Sequence, residues 1–250
     1  MSIIFYDIPS TLPGIAWTPN TWKIRYCLNY KGIPYKTEWV EYPDIEEHCK
    51  KHGIAPTSKW RDGSPRYTFP AIHDPSTGIY VAESLLIARY LENQYPDTPK
   101  VFPGPHDLSA LHAAFSKALD VEIAPATQFI ISAIFPVLNP RSEAHFRRTR
   151  EKTFGKKLED IAPQGEDRIA QWAQFRAGLG NVNKWFEMNG GGPFLMCDVL
   201  SWSDLVLAGE TIWYRILWGE DSEEWKDIKS WDGGRWGKIL ETLKEYETVM

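Results

Sequence analysis

The chain has two parts, which differ in how hydrophobic and polar positions repeat along the sequence. Up to about residue 95, short apolar runs typical of strands alternate with stretches of helical spacing. Beyond residue 105 strand patterns are absent, and long stretches repeat their apolar residues at helical spacing. The segment PDTPKVFPGP, residues 96–105, separates the parts as a linker. The pattern predicts an α/β domain over 1–95 and an all-helical domain over 106–250.

The first part has the predicted order β-α-β-α-β-β-α. Its first helix is marked by Pro19, which suits the first helical position, and by Thr18, the natural N-cap before it. Lys31 and Gly32 close that helix. Predicted strands lie at 2–6, 37–42, 67–73 and 78–82. Predicted helices lie at 19–31, at 44–52 with Asp44 as cap, and from Ser84 onward. The loop predicted over 53–66 is of a kind that often carries function.

The second part is predicted to be helical throughout. Pro125 is expected to break its first helix. Ser201 and Asp204 have the S-x-x-D spacing of a capping box before an apolar run. Predicted helices lie at 108–133, 141–158, 165–189 and 202–218, with further helix from Trp236 to the end.

Charge and composition narrow the function classes. The 250 residues carry a net charge of −5, which argues against a nucleic-acid-binding protein because no basic stripe neutralises phosphates. The basic cluster of residues 147–152 is interleaved with Glu151 and is interpreted as a solvated helix face, with anion binding as the alternative. Twelve tryptophans indicate large aromatic surfaces to bury or to offer to a ligand.

Cysteine and histidine usage predicts neither disulfides nor a metal site. Cys27, Cys49 and Cys197 are odd in number and widely spaced, and Cys27 is interpreted as a small buried hydrophobic residue. The six histidines form no pattern of metal-ligand spacing. The N-terminus has no signal-peptide pattern, and no window reaches the roughly 18 apolar residues of a membrane span. A cytoplasmic location without membrane attachment is therefore expected.

Four local features, in this order and at these spacings, give the chain its resemblance to a known family. They are TPNTWKIR at 18–25, Phe69-Pro70, Glu83-Ser84 and LSWSDLVLAGE at 200–210. With them, nearly the whole chain resembles the cytosolic glutathione transferases. Its TPNTWKIR segment is most similar to the fungal-specific class A transferases in the serine-type, etherase-related branch. The resemblance implies a thioredoxin-like N-terminal domain, an all-helical C-terminal domain, and a homodimer.

The resemblance also implies roles for individual residues. Phe69 and Pro70 would form the cis-proline turn that pairs with the glutathione cysteine, and Glu83 with Ser84 would hold its γ-glutamyl group, with Ser84 capping the helix. Lys51 would contact the glycine carboxylate of glutathione; the alternative is an ordinary basic residue at a helix C-terminus. Arg25 and Arg89 are interpreted as structural salt-bridge partners.

The candidate catalytic residues lie at the start of the first helix. Thr18 stands where the family's serine-type members have serine, and its hydroxyl either stabilises the glutathione thiolate or only caps the helix. Asn20 would supply a second donor; the alternative is an ordinary surface residue. Tyr6 is the rival thiol activator, and is also a candidate for the wall of the second-substrate site.

The second-substrate site is expected in the cleft between the domains. Aromatic residues are its candidate lining, although residues at helical spacing are more often core. Two functions are open: transfer of glutathione to hydrophobic aromatic electrophiles or ethers, and weakly catalytic or non-catalytic carriage of aromatic compounds. The candidate lining residues are Phe115, Phe129, Phe135 and Trp213.

Overall fold

The first domain is built around a four-stranded sheet of order β2-β1-β5-β6. The computed structural model describes residues 2–60 and 62–250; Met1, in the N-terminal segment, and Arg61, in the loop predicted over 53–66, lie outside the described residues. In chain order the elements are β1 (Ile3–Asp7), α1 (Pro19–Tyr30), β2 (Tyr35–Trp39), α2 (Ile45–Lys51), β3 (Ser58–Lys59), β4 (Pro65–Arg66), β5 (Ala71–Asp74), β6 (Ile79–Ala82) and α3 (Ser84–Gln94).

The pairing in this sheet is mixed. Strand β1 is parallel to β2, with Tyr6 opposite Glu38, and antiparallel to β5, with Tyr6 opposite Ala71. Strands β5 and β6 form the predicted antiparallel hairpin. The parallel pair needs a crossover, and α1 supplies it. The thioredoxin-like fold expected for this part of the chain is confirmed.

Two predicted strands end elsewhere than expected. Strand β2 covers Tyr35–Trp39 rather than 37–42, because its partner β1 ends at Asp7, opposite Trp39. The strand predicted over 67–73 begins only at Ala71 and ends at Asp74. Residues before Ala71 are not part of it, because the chain turns at the cis peptide bond between Phe69 and Pro70. The predicted loop contains the short antiparallel ribbon β3-β4, which no pattern indicated.

Two predicted helix caps differ from the observed ones. Asp44 is at the N-cap position of α2, as predicted, but it makes no capping hydrogen bond; its carboxylate accepts two bonds from Arg141 at 2.9 and 2.7 Å instead. The N-cap of α3 is Glu83 rather than Ser84, because Glu83 Oε2 accepts a bond from Leu86 N at 3.2 Å. Ser84 is the first residue of the helix.

The second domain is built from helices, as predicted, and its described residues form two isolated β-bridges, Phe194–Cys197 and Met196–Val199, between α7 and α8. Pro125 lies in a 3-10 turn that interrupts the first predicted helix. The helix over Glu223–Ser230 was missed, and the last α-helix ends at Thr242 rather than at the chain end. Its α-helices are α4 (Ser109–Ile123), α5 (Thr127–Ile134), α6 (Pro140–Phe154), α7 (Gly165–Met188), α8 (Trp202–Trp218), α9 (Glu223–Ser230) and α10 (Arg235–Thr242).

One helical run, Ser109–Val137, is long and apolar enough to cross a membrane, contrary to the expectation that no window is. This statement concerns length and composition alone, and the core helix of a folded bundle passes the same test. The run is broken by the 3-10 turn at Ala124–Ala126. It also packs closely on α7: a Cβ atom at Gly178 would lie 2.0 Å from the backbone oxygen of Glu122. This helical run is therefore only weak evidence for a membrane-spanning segment.

The two domains meet most closely where α1 lies against α8. A Cβ atom at Gly209 of α8 would stand 2.8 Å from the carbonyl oxygen of Pro19 and 2.9 Å from Lys23 Cγ. Glycine is therefore required for the helices to approach this closely. Lys23 Nζ also forms an ion pair with Glu210 Oε1 at 3.0 Å. These contacts fix the start of α1 relative to the second domain.

The predicted capping box of α8 is present. Asp204 Oδ2 accepts bonds from Ser201 N at 2.8 Å and from Ser201 Oγ at 2.7 Å, and Asp204 Oδ1 accepts one from Leu195 N at 2.7 Å. Burial nevertheless raises the pKa of the Asp204 carboxyl to about 6, with these hydrogen bonds acting in the opposite direction.

The variant Asp204→Ala tests this cap. It is expected to lower the free energy of unfolding by about 2 kcal/mol near pH 7, because it leaves buried donors without an acceptor. The loss should be larger near pH 5: a carboxyl whose pKa is raised in the folded state gives up stability as the pH rises through that pKa, and the variant lacks this dependence. Urea unfolding at the two pH values measures both effects. An equal loss at both would contradict the raised pKa.

Candidate active site

The start of α1 leaves few backbone donors free. Pro19, the first helical residue, has no N–H group, and the N–H of Thr21 donates to Thr18 Oγ1 at 3.2 Å. Trp22 N already donates to Thr18 O at 3.1 Å. Among the described residues, the N–H of Asn20 has no acceptor, so Asn20 carries the free donor at the positive end of the helix.

The Thr18 hydroxyl is occupied within the protein. Besides capping the helix, Thr18 Oγ1 lies 2.5 Å from Thr21 Oγ1, and Thr21 Oγ1 in turn donates to the carbonyl of Thr18 at 3.1 Å. Either hydroxyl can be the donor in the bond between Thr18 and Thr21. Thr18 is only 6% exposed. Of the two roles predicted for Thr18, the cap is confirmed.

Asn20 is exposed and oriented by its neighbour on the next turn. Lys23 Nζ donates to Asn20 Oδ1 at 2.9 Å while it pairs with Glu210. Because the amide oxygen is held by a cation, the amide nitrogen Nδ2 is left as a donor. Asn20 thus has a side-chain donor and a backbone donor at the same helix end.

The turn before β5 provides a stretch of unpaired backbone. Phe69 and Pro70 are joined by a cis peptide bond, as predicted, and the backbone N–H and C=O of Phe69 bond to none of the described residues. Beside this turn, Glu83 N donates to Pro70 O at 3.4 Å, and Glu83 adopts a φ of +80°. The half-buried Ser84 donates from Oγ to Glu83 Oε1 at 3.4 Å. The two predicted binding pairs therefore lie side by side.

A cavity of about 350 Å³ opens between the two domains, at the start of α1. Thr18, Asn20 and Phe69 line its first-domain side, and α5, α6 and α8 form the opposite wall. Residues of the β3-β4 loop close one end. The aromatic lining consists of Trp17, Tyr42, Trp60, Tyr67, Phe69, His145, Phe146 and Trp213.

The charged residues of this cavity are cations. Arg66, at the end of β4, and Arg150, on α6, both line it. Burial raises the pKa of the Tyr42 phenol, with the two guanidinium groups acting in the opposite direction. Burial also lowers the pKa of His145, which Arg148 and Arg150 lower further. At neutral pH, His145 is therefore the neutral imidazole, stacked on Tyr42 with their ring centroids 6.1 Å apart.

Two indole groups of the cavity wall have no acceptor. Trp17 Nε1 and Trp213 Nε1 are buried without a hydrogen-bond partner among the described residues. A buried donor without a partner costs about 1–3 kcal/mol. Unsatisfied donors of this kind are more typical of a ligand site than of a packed core.

Two family models together match most of the chain. The model described as glutathione S-transferase, N-terminal domain, matches residues 17–94, and the one described as glutathione S-transferase, C-terminal domain, matches residues 110–246. The chain belongs to the glutathione S-transferase family. The identification made from the four sequence features is thereby confirmed.

Three proteins similar to this transferase come from fungi. It is 31% identical to the glutathione S-transferase-like protein ustS of Aspergillus flavus, over 92% of this chain and 85% of that protein. Its structure is similar to that of CsGST63524 of Ceriporiopsis subvermispora in complex with glutathione, with a TM-score of 0.95 and 49% identity over 100% and 99% of the two chains. GSTFuA3 of Phanerochaete chrysosporium gives a TM-score of 0.94 and 43% identity, over 100% and 99%.

Not all of the predicted site residues lie at the cavity of this transferase. Thr18, Asn20, Phe69 and Trp213 line the cavity. Lys51 is exposed at the end of α2 and lies in a separate outward-facing groove, so its contact with glutathione stays a prediction.

The other aromatic residues assigned to the second-substrate site do not line the cavity, because each packs against other parts of the protein. Tyr6 is 2% exposed, with its ring centroid 4.5 Å from that of His48, and burial raises the pKa of its phenol. Phe115 packs on Trp185, and the buried Phe129 packs on Trp172. Phe135 lies under the guanidinium of Arg147. Their assignment to the lining of this transferase's cavity is corrected accordingly.

Sequence reasoning did not assign Arg66 or Arg150 to the site of the transferase. Arg150 belongs to the cluster interpreted as a solvated face, which is correct for Arg147, a residue paired with Glu143, Glu151 and Glu159. Three residues further on, Arg150 points to the cavity side of the same helix. To predict that Arg150 and not Arg147 faces the cavity, one would need to know which side of the helix each residue occupies and which side faces the cleft.

Among the described residues of this transferase, no group of three or more His, Cys, Asp or Glu side chains could hold a metal ion. The three cysteines are free, and Cys27 is buried, as predicted.

Proposed function

We propose that this transferase activates the thiol of glutathione at the start of α1 and transfers it to hydrophobic aromatic electrophiles in the interdomain cavity. One observation carries the proposal: the free donors of Asn20, the unpaired backbone of Phe69 and an aromatic cavity lie at one place. Two similar structures, both from Ceriporiopsis subvermispora, are complexes with glutathione.

Glutathione is proposed to bind as an extended peptide beside the cis-proline turn. Its cysteine backbone would pair with the N–H and C=O of Phe69, because these groups are left unpaired next to β5. Its γ-glutamyl group would lie at Glu83 and Ser84, where the start of α3 adds the positive end of a helix. Lys51 is proposed to attract the glycine carboxylate.

The proposed chemistry is stabilisation of a thiolate. A free thiol has a pKa near 8.5, so the site has to favour the thiolate over the thiol. The amide nitrogen and backbone N–H of Asn20 are donors without protein acceptors, at the positive end of α1. We therefore assign the main donor role to Asn20. Thr18 fixes the start of the helix and so the position of Asn20.

A second function, carriage of aromatic compounds with little turnover, has its own support. The Thr18 hydroxyl contacts Thr21 Oγ1 and accepts a bond from Thr21 N, so the hydroxyl that serine-type relatives are expected to use already has two partners within the protein. Aromatic side chains line the cavity on both domains, as binding of aromatic compounds requires. For the transferase function, aromatic ethers are proposed as substrates alongside aromatic electrophiles, as the sequence predicted.

Two measurements on the intact protein separate the functions. Calorimetric titration with glutathione tests the thiol site, and the rate of thiol transfer to a panel of aromatic electrophiles tests catalysis. Displacement of a fluorescent dye by the same electrophiles measures their binding. Glutathione binding with turnover supports the transferase activity; tight displacement without turnover supports carriage. Absence of glutathione binding would contradict the proposed site.

We also propose a homodimer located in the cytoplasm, as the family resemblance implies. Sedimentation at micromolar concentration tests the first, and a monomer there would contradict it. Cell fractionation tests the second.

A further inference from the structure

Arg66 and Arg150 are cations without an anionic partner among the described residues. Neither guanidinium forms a salt bridge or donates a side-chain hydrogen bond to any described residue. Other arginines of the same surroundings are paired: Arg141 with Asp44 at 2.7 Å, and Arg147 with Glu143 at 2.8 Å. Carboxylates are therefore available on α6 and at the residue before α2, but no described Asp or Glu lines the cavity.

Both unpaired guanidinium groups are instead supported from one face by an aromatic ring. Arg66 Cζ lies 4.7 Å from the ring centroid of Trp60, and Arg150 Cζ lies 4.8 Å from that of Phe146. A contact with a ring face occupies no N–H group in a hydrogen bond, so the N–H groups of both guanidinium groups remain available to a planar anion. The two residues thus resemble a site preset for a carboxylate.

The surroundings of Arg150 make an unpaired state unfavourable. Its guanidinium is half-buried, and both burial and the like charge of Arg66 lower its pKa. A guanidinium stays charged at neutral pH despite such a shift. An anionic ligand would offset both the lost hydration and the repulsion between the two arginines.

We propose that the second ligand of this transferase is an aromatic acid. Its carboxylate pairs with Arg150, with Arg66 adding a second positive charge, and its ring lies among the aromatic side chains of the cavity. The inference rests on the proposed function only for the position of the second-ligand site.

A matched pair of ligands tests the charge alone. The probes are 2-naphthoate and its neutral isostere 2-naphthamide, titrated calorimetrically into the intact protein at saturating glutathione. Naphthoate is expected to bind at least about tenfold more tightly, as a charged hydrogen-bonded pair allows. Raising NaCl from about 50 to about 500 mM should weaken naphthoate binding and leave naphthamide unchanged, because salt screens only the charged interaction. Equal affinities for the two probes would overturn the proposal.

Variants assign the effect to the arginines. Arg150→Met should remove the preference for naphthoate and leave naphthamide affinity within about twofold. Arg150→Lys should retain part of it, because the charge remains without the bidentate edge. Lys152→Met is the matched control: it removes one positive charge from the same helix at an exposed position outside the cavity, and should keep the full preference.

The outcomes also separate this inference from the proposed function. Glutathione titrated alone tests the thiol site and does not depend on Arg150. If glutathione binds but Arg150→Met and Arg66→Met leave naphthoate binding unchanged, the aromatic-acid site is wrong and the transferase proposal stands. If Arg66→Met weakens glutathione binding and leaves naphthoate unchanged, the pairing of the two arginines on one ligand is wrong.

Discussion

Replacing Asn20 by aspartate is expected to lower kcat/KM for thiol transfer by about ten- to a hundredfold while raising the melting temperature. The substitution exchanges the amide donor at the start of α1 for a negative charge, so the glutathione thiolate loses a hydrogen bond and gains a repulsion. Loss of one hydrogen bond to a charged group corresponds to about 1.5–3 kcal/mol at the transition state. The same carboxylate stabilises the helix by about 0.3–1 kcal/mol, because it lies at the positive end and still accepts a bond from Lys23.

Opposite changes in activity and stability make this variant informative. A structural defect would lower both. The pKa of bound glutathione, measured from the ultraviolet absorbance of its thiolate against pH, should rise in Asn20→Asp and, by a smaller amount, in Asn20→Ala. An unchanged thiol pKa with unchanged turnover in both variants would contradict the donor role.

Thr18 provides the matched comparison at the same helix end. Thr18→Ala removes the cap and is expected to destabilise the protein by about 1 kcal/mol. Thr18→Ser keeps the hydroxyl without the methyl group, and should retain both stability and turnover. If Thr18→Ala raises the thiol pKa while Asn20→Asp does not, the thiolate donor is the Thr18 hydroxyl. That result would support the thiolate-stabilising role that the sequence analysis gave as the alternative to a cap.

Local sequence signals predicted the elements that carry this site. The start of α1 follows from Thr18 and Pro19, whose effects on a helix terminus depend on neighbouring residues alone. The break at Pro125 and the capping box of α8 are local in the same way. The end of β2 was misplaced because it depends on pairing with β1, a contact between residues about 30 positions apart.

The cavity itself could be predicted only in part. Its position between the domains was predicted from the general preference of pockets for domain interfaces, and the roles of Phe69 and Pro70 were implied by the family resemblance. Which aromatic side chains line it depends on how each helix is rotated about its axis, and Trp213 alone was correct among the helical candidates. The occupation of the Thr18 hydroxyl by Thr21 was also beyond the sequence, because it depends on side-chain rotamers at the first turn.

The buried pair of Arg25 and Asp7 is expected to give the largest stability effect in the chain. Both side chains are fully buried, and Arg25 Nη2 donates to Asp7 Oδ2 at 2.7 Å, as the structural role predicted for Arg25 requires. Arg25→Met should lower the free energy of unfolding by about 3–5 kcal/mol, because it leaves the Asp7 charge buried without a counter-ion. In a protein of this size the melting temperature should fall by roughly 6–20 °C.

The control is the exposed pair of Arg89 and Asp107, whose atoms approach to 3.3 Å with both side chains about half exposed. Arg89→Met should cost less than about 1 kcal/mol, because water and salt already screen that interaction. Thermal unfolding of both variants under the same conditions separates loss of a buried partner from loss of an arginine. Similar losses in the two variants would contradict the account.

The loss in Arg25→Met should also shrink as the pH falls from 7 toward 5. Burial already raises the pKa of the Asp7 carboxyl in the native protein, and Arg25 acts in the opposite direction. Without Arg25 the pKa of folded Asp7 rises further, so over this range the folded state binds more protons than the unfolded state and stability increases as the pH decreases. The double variant Asp7→Asn/Arg25→Met should be more stable than Arg25→Met alone at pH 7 and lack this pH dependence. A double variant as unstable as the single one would show that packing around Arg25, rather than the unpaired charge of Asp7, sets the loss.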